Sequence, residues 1–119
     1  MYFIEYPKCS TCKKAKKYLE DQKLKYQPRN IVTETPTKTE LTEWVNKYNI
    51  PVKKLFNTSG IKYRELNLKE KLLHMTESEK LEILSSDGML IKRPLLVLED
   101  DILIGFNQSE WKKRLEERK

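Results

Sequence analysis

Histidine occurs once, cysteine twice and glycine three times in 119 residues, and these scarcities limit the chemistry open to the chain. Cys9, Cys12 and His74 are the whole supply of cysteine and histidine metal ligands. They are too few to close a Cys/His zinc site within one chain, so no metal is expected, and none but an intermolecular site could form. No apolar run approaches the roughly 20 residues that span a bilayer. The start, "MYFIEYPK", lacks the basic segment, apolar stretch and small-residue cleavage site of a secretory leader. A cytoplasmic protein that does not engage membranes is expected. Internal repeats, low-complexity tracts and Gly/Ser linkers are also missing. One domain over residues 1–119 is therefore expected, large enough to bury a core without staples.

Charge, by contrast, is abundant. Charged residues make up 35% of the chain against 38% hydrophobic, with a formal net charge of +6. A basic excess can be the footprint of a nucleic-acid binder. Here bases and acids are interleaved, as in "KEKLLHMTESEKLE" and "EWKKRLEERK", at spacings that stabilise solvated helix faces. Direct nucleic-acid binding is not expected. The one compact basic run is Lys13, Lys14, Lys16 and Lys17, which reads as a solvated face unless its place beside the cysteines gives it a second use.

Both cysteines fall in "YPKCSTCKKAKKYL". Three readings compete for them: a redox pair, half of a metal site, or two packing residues that happen to be close. In a reducing compartment the first two outrank a structural disulfide, and burial alone is a common fate of free cysteine.

Periodicity supplies the frame. "YFIEY" is a short aromatic and apolar run ending at Pro7, which predicts a strand and a turn. From Ser10 or Thr11 to Asp21 or Gln22 the pattern is helical, with Ala15, Tyr18 and Leu19 as the buried stripe and Cys12 one turn earlier on it. "LKYQPRNIV" predicts a strand that Pro28 confines to an edge. Thr37 with Glu40 opens a helix carrying Leu41, Trp44, Val45 and Tyr48 on one face. Residues 51–91 read as short helices: "PVKKLF", then the turn "NTSG", then helices capped at Asn67 and Thr76, the last stopping at Gly88. "PLLVLE" and "DILIGF" form a hairpin signal, and "NQSEWKKRLEERK" an amphipathic closing helix. The order β-α-β-α, a helical insert over about residues 51–91, then β-β-α, predicts an α/β fold with a mixed sheet.

Cys-x-x-Cys between the first strand and the first helix is the thioredoxin-like arrangement. Together with "FNTSGIKYRELNL", "LSSDGMLIKRPLLV" and the late "IGF", it makes the chain resemble the arsenate-reductase-like ArsC/Spx family along almost its whole length. The resemblance implies a thioredoxin-like fold and a short Cys-x-x-Cys member that works without a cofactor.

The chemistry of the motif can be stated from the residues. A nucleophilic thiol must be a thiolate, and Cys9 lies just before a helix, where unpaired N–H groups and the macrodipole favour an anion. Nearby lysines act in the same direction. Cys12, one turn inside, is placed to attack a mixed disulfide on Cys9, so Cys9 attacks and Cys12 resolves. The resemblance further implies a cis bond before Pro94, facing the active cysteine, and an Arg93 that projects toward Cys9 to hold the thiolate or an anionic substrate. "NTSG" could form an anion-holding nest or be an ordinary turn. Tyr63 and Arg64 fit a cleft or a surface equally well, and His74 reads as a partly exposed helix residue rather than a base.

Arsenate-reducing relatives carry one cysteine followed by Gly-Thr-Ser and three arginines around it. In this sequence Cys9 matches the nucleophile, Cys12 stands at the serine and Arg93 matches one arginine. Asn57 falls at another arginine position and Gly105 or Phe106 near the third. The expected function is a thiol–disulfide oxidoreductase acting on a disulfide or oxidised substrate, with glutathione, glutaredoxin or thioredoxin as thiol donor. The alternative is an Spx-like redox-switched regulator, for which the resemblance implies RNA polymerase as partner. True arsenate reduction ranks last.

Overall fold

The computed structural model describes residues 1–117. They fall into two compact units, one made of Met1–Arg29 with the chain from Arg93 onward, the other of Asn30–Lys92.

The first unit holds a four-stranded mixed sheet with the order β2-β1-β3-β4, where β1 is Tyr2–Glu5, β2 Gln27–Asn30, β3 Leu95–Val97 and β4 Ile102–Ile104. Pro28 lies in β2, and β2 is an edge strand, where a missing N–H costs no ladder bond. Central β1 pairs antiparallel with β3, setting Phe3 opposite Leu96, and β3 pairs antiparallel with β4, setting Leu96 opposite Leu103. These three share one face of the sheet. Ala15 and Leu19 of α1 (Ser10–Asp21) and Trp111 of α6 (Gln108–Glu116) complete the core with them. Trp111 is 1% exposed, meets Phe106 edge to face at 4.9 Å and gives its indole N–H to the Gly105 carbonyl at 3.0 Å. Asn107 caps α6 by accepting the Glu110 N–H at 3.0 Å, and Arg114 joins the helix to the β3–β4 turn through an ion pair with Asp101. The chain is a thioredoxin-like α/β fold, as its sequence order predicts.

The second unit is helical: α2 (Lys38–Tyr48), α3 (Ile61–Glu65), α4 (Leu68–Lys71) and α5 (Glu77–Ser86). Both predicted caps on the longer helices are full capping boxes, Thr37 with Glu40 and Thr76 with Glu79. Asn67 differs from expectation. Its backbone is left-handed (φ 51°), its side chain makes no capping bond to α4, and its amide instead donates to Glu70 at 3.2 Å. "PVKKLF" forms the expected short helix, of 3-10 type over Val52–Leu55, with Pro51 at its start and the extended Phe56 at its end.

Gly88 is read from sequence as a helix stop, yet α5 already ends at Ser86. The physical reason for glycine is a close approach: a Cβ here would press into the backbone carbonyl of Ile31. Gly88→Ala should therefore cost ~2 kcal/mol or more, in the range of overpacked cores, visible as a lower urea midpoint with an unchanged slope.

Candidate active site

β1 delivers the chain to the site. After Glu5 the Tyr6 carbonyl accepts the Cys9 N–H at 2.9 Å, which closes a tight turn through Pro7. Cys9 is extended (φ −84°, ψ 123°) and is the N-cap residue of α1. Its sulfur accepts the Cys12 N–H at 3.4 Å. The Cys9 sulfur thus does here what a serine or aspartate oxygen does at an ordinary helix start. Cys9 is half-buried, whereas Cys12 is fully buried.

The Arg93–Pro94 peptide bond is cis, and the Pro94 carbonyl accepts the Gly105 N–H at 2.8 Å. Arg93 reaches Cys9, hydrogen-bonds its sulfur and adds its charge. Its guanidinium also sits over the Tyr6 ring at 5.3 Å from the centroid, within cation–π range.

These contacts split the two thiols. Partial burial by itself would push Cys9 up. The Cys12 N–H, the Cys12 thiol and the Arg93 guanidinium outweigh it and hold Cys9 below the ordinary cysteine range. Cys12 is pushed up to about 12, first by burial and then by Cys9 and the charge of Glu5, against a bond from the Tyr6 backbone N–H. The pair is one half-exposed sulfur whose anion is favoured, backed by one buried sulfur that holds its proton.

The expected help from the α1 lysines takes another form. Lys13, Lys14, Lys16 and Lys17 are exposed; Lys17 is tied to Asp21 at 3.0 Å and Lys16 acts on Glu5. The cation that acts on Cys9 is Arg93. The α1 lysines lie on the exposed face of the helix, whereas Arg93 lies over the Tyr6 ring and against Cys9.

Sequence reasoning passed over Tyr6. It sits at the bend between β1 and Cys9 and reads only as part of an aromatic strand, but its carbonyl, N–H and ring touch Cys9, Cys12 and Arg93 in turn. Removing Arg93 tests this arrangement. Arg93→Ala should slow Cys9 alkylation near neutral pH about tenfold, since a charge-assisted hydrogen bond contributes roughly 1.5–3 kcal/mol. Arg93→Lys should recover part of the rate, Tyr6→Phe nearly all of it, and Tyr6→Leu less, because only the last loses the ring beneath the guanidinium. Iodoacetamide rates followed against pH distinguish the four variants.

The other candidates lie in the second unit. Asn57 is half-buried and organises its own turn: its N–H donates to the Leu90 carbonyl at 2.8 Å, its carbonyl accepts from Gly60 at 3.1 Å and its side-chain oxygen from Ser59 at 3.3 Å. Tyr63 is buried, 6.3 Å from the Phe56 ring, so it is a core residue; Arg64 and His74 are exposed. Among the described residues no group of three or more His, Cys, Asp or Glu could hold a metal ion, and no helix is long and apolar enough to cross a membrane.

Known proteins share this frame along nearly the whole chain. YusI of Bacillus subtilis is 50% identical over 93% of this chain and 94% of its own length. The regulatory protein MgsR of the same organism is 32% identical, over 93% of this chain and 86% of its own. The crystal structure of an ArsC family related protein from Bacteroides fragilis superposes with a TM-score of 0.89 at 49% identity, covering 94% of each chain. The family model described as the ArsC family matches residues 4–114, which takes in Cys9, Cys12, Arg93 and Pro94. A cysteine-capped helix facing a cis-proline arginine, on a chain matched from end to end by such relatives, has one assignment: the chain belongs to the arsenate-reductase-like ArsC/Spx family.

Proposed function

We propose that this protein is a cytoplasmic thiol–disulfide oxidoreductase with Cys9 as nucleophile and Cys12 as resolving thiol. The observation that carries the reading is the unequal pair. Cys9 caps a helix beside a guanidinium, and Cys12 waits protonated one turn behind it. In the proposed cycle the Cys9 thiolate attacks a substrate disulfide, forming a mixed disulfide and expelling one substrate thiolate. Cys12 then attacks the Cys9 sulfur, expels the second substrate thiolate and leaves a Cys9–Cys12 disulfide. Two electrons from glutathione, glutaredoxin or thioredoxin restore the dithiol.

Reduction of a model disulfide supplied with glutathione or thioredoxin tests the reading. Turnover should vanish in Cys9→Ser. In Cys12→Ser it should fall sharply while partner proteins accumulate as mixed disulfides, identifiable by mass spectrometry. Exchange that proceeds equally well without Cys9 would remove the proposal.

A second reading is supported by the similarity to the regulatory protein MgsR along 93% of the chain. On that reading the same pair is a redox switch, and the partner is RNA polymerase, as in the Spx branch of the family. Polymerase retained by the dithiol form and released by the disulfide form, or the reverse, would favour it over the enzyme.

A further inference from the structure

The lysines on either side of the cysteine motif have no part in the chemistry described so far. Lys8 sits in the turn directly before Cys9. Lys13 stands one helical turn after Cys9, and its N–H bonds the Cys9 carbonyl at 3.0 Å. Residues four apart share a helix face, and each side chain leans toward the helix N-terminus. Lys13 thus leans toward the turn that carries Cys9, and Lys14 toward Ser10. Lys17 is tied to Asp21 and Lys16 acts on Glu5. The outward charge at the mouth of α1 therefore comes from Lys8, Lys13 and Lys14, all exposed.

The described acids of the first unit lie elsewhere or are engaged. The first turn of α1 contains none. Glu5 is buried, at 9% exposed. Glu20 and Asp21 close the far end of α1. Glu99, Asp100 and Asp101 follow β3, and it is the opposite end of β3, Leu95, that pairs with Ile4 on the cysteine side. Glu116 lines a hollow with Met1 and Leu98 at that same far end, and Glu117 follows it. Glu110, in the first turn of α6, is held by Arg114 at 2.9 Å. With Arg93 against Cys9, the charge that this unit presents around the sulfur has one sign.

A cation can serve a thiol in two ways. Arg93 acts on the sulfur by contact. Lysines on flexible, strongly hydrated stems fix little geometry, but charges along an approach path raise the encounter rate with an oppositely charged reactant by about ten- to a thousandfold. We propose that Lys8, Lys13 and Lys14 select the substrate of Cys9 by charge, favouring a disulfide flanked by carboxylates, as in an acidic peptide; the inference rests on the thiol–disulfide reading above. The Cys9 thiolate bonds to the nearer substrate sulfur and the substrate S–S bond breaks. The farther sulfur leaves with the electron pair as a thiolate, so the step needs no other reactant.

Paired probes that differ in charge test this on the full chain. Iodoacetate is an anion and iodoacetamide its neutral counterpart. Their rate ratio at Cys9, divided by the ratio for mercaptoethanol, reads the field around the sulfur and cancels the sulfur's own reactivity. At low ionic strength this preference should be at least about tenfold. In about 1 M salt, where the Debye length is about 3 Å, most of it should vanish. Combining Lys8→Gln, Lys13→Gln and Lys14→Gln should also remove most of it, although Arg93 is still present. Mixed-disulfide formation at Cys9 in Cys12→Ser should favour dithiodipropionate, a dianion, over cystamine, a dication, by at least about tenfold after the same correction. No preference for iodoacetate, or one that the triple variant keeps in full, overturns the proposal; the second result assigns the field to Arg93. Equal use of the two disulfides overturns it as well. If neither disulfide reacts while the iodoacetate preference persists, the oxidoreductase reading is what fails, and the substrate assignment falls with it.

Discussion

Iodoacetamide should label Cys9 at least about a thousandfold faster than Cys12 at neutral pH. A thiol pushed up to about 12 is ionised at pH 7 only to roughly one part in a hundred thousand, and Cys12 is also fully buried. Cys9 is half-exposed and held below the ordinary range by the Cys12 N–H and Arg93, which outweigh its partial burial. The pH dependence has opposite shapes. Cys9 labelling should rise with pH and level off once the lowered value is passed, below where a free cysteine would level. Cys12 labelling should keep rising toward about 12 for as long as the fold persists. Peptide mass spectrometry after timed quenching reads both sites. Equal rates, or faster modification of Cys12, would contradict the division of labour between the two sulfurs.

The second large effect concerns arsenate. Binding a multiply charged tetrahedral anion beside Cys9 calls for several fixed cations, and each charge-assisted contact contributes roughly 1.5–3 kcal/mol. Arg93 is in place. The position matched to a third arginine offers no charge: Gly105 adopts φ 73°, a conformation that disfavours any side chain, and the Phe106 ring packs on Trp111. Asn57, matched to another, is a neutral amide engaged in its own turn. Two absent guanidiniums should weaken arsenate use roughly a hundredfold or more. Arsenate-dependent oxidation of reduced cofactor, coupled through glutathione–glutaredoxin or thioredoxin, should therefore stay at the arsenate-free rate. Saturable turnover at micromolar arsenate that survives Cys12→Ser would show that Cys9 and Arg93 suffice.

What could be read from sequence was whatever is determined locally. Capping boxes at Thr37 and Thr76 are complete within one turn of chain, so four residues announce them. The β3–β4 hairpin announces itself by two apolar runs around Asp100 and Asp101. Asn67 shows the limit of such signals. Asparagine suits both a cap and a left-handed bend, and only the surrounding chain selects the second. Roles that depend on distant partners were not legible in local pattern, and the place of Arg93 beside Cys9 came only with the family resemblance. Tyr6 acquires its contact from an arginine far along the chain. A faint signal did exist for the burial of Glu5: it is the lone acid in an otherwise aromatic and apolar run, two residues after Phe3. The alternation that predicts a buried face predicts a buried carboxylate there as well.

Because the sulfur proposed as nucleophile, that of Cys9, is also the acceptor that closes the first turn of α1, the proposed chemistry and the architecture share one atom. A covalent bond made by that sulfur weakens it as an acceptor. The helix then gives up a cap of the kind whose oxygen counterparts contribute about 0.5–2 kcal/mol. The leading turn of α1 is thus tightest when the protein is reduced and loosest once Cys9 has reacted. On the oxidoreductase reading, modification of Cys9 is therefore expected to be accompanied by more fraying at the start of α1.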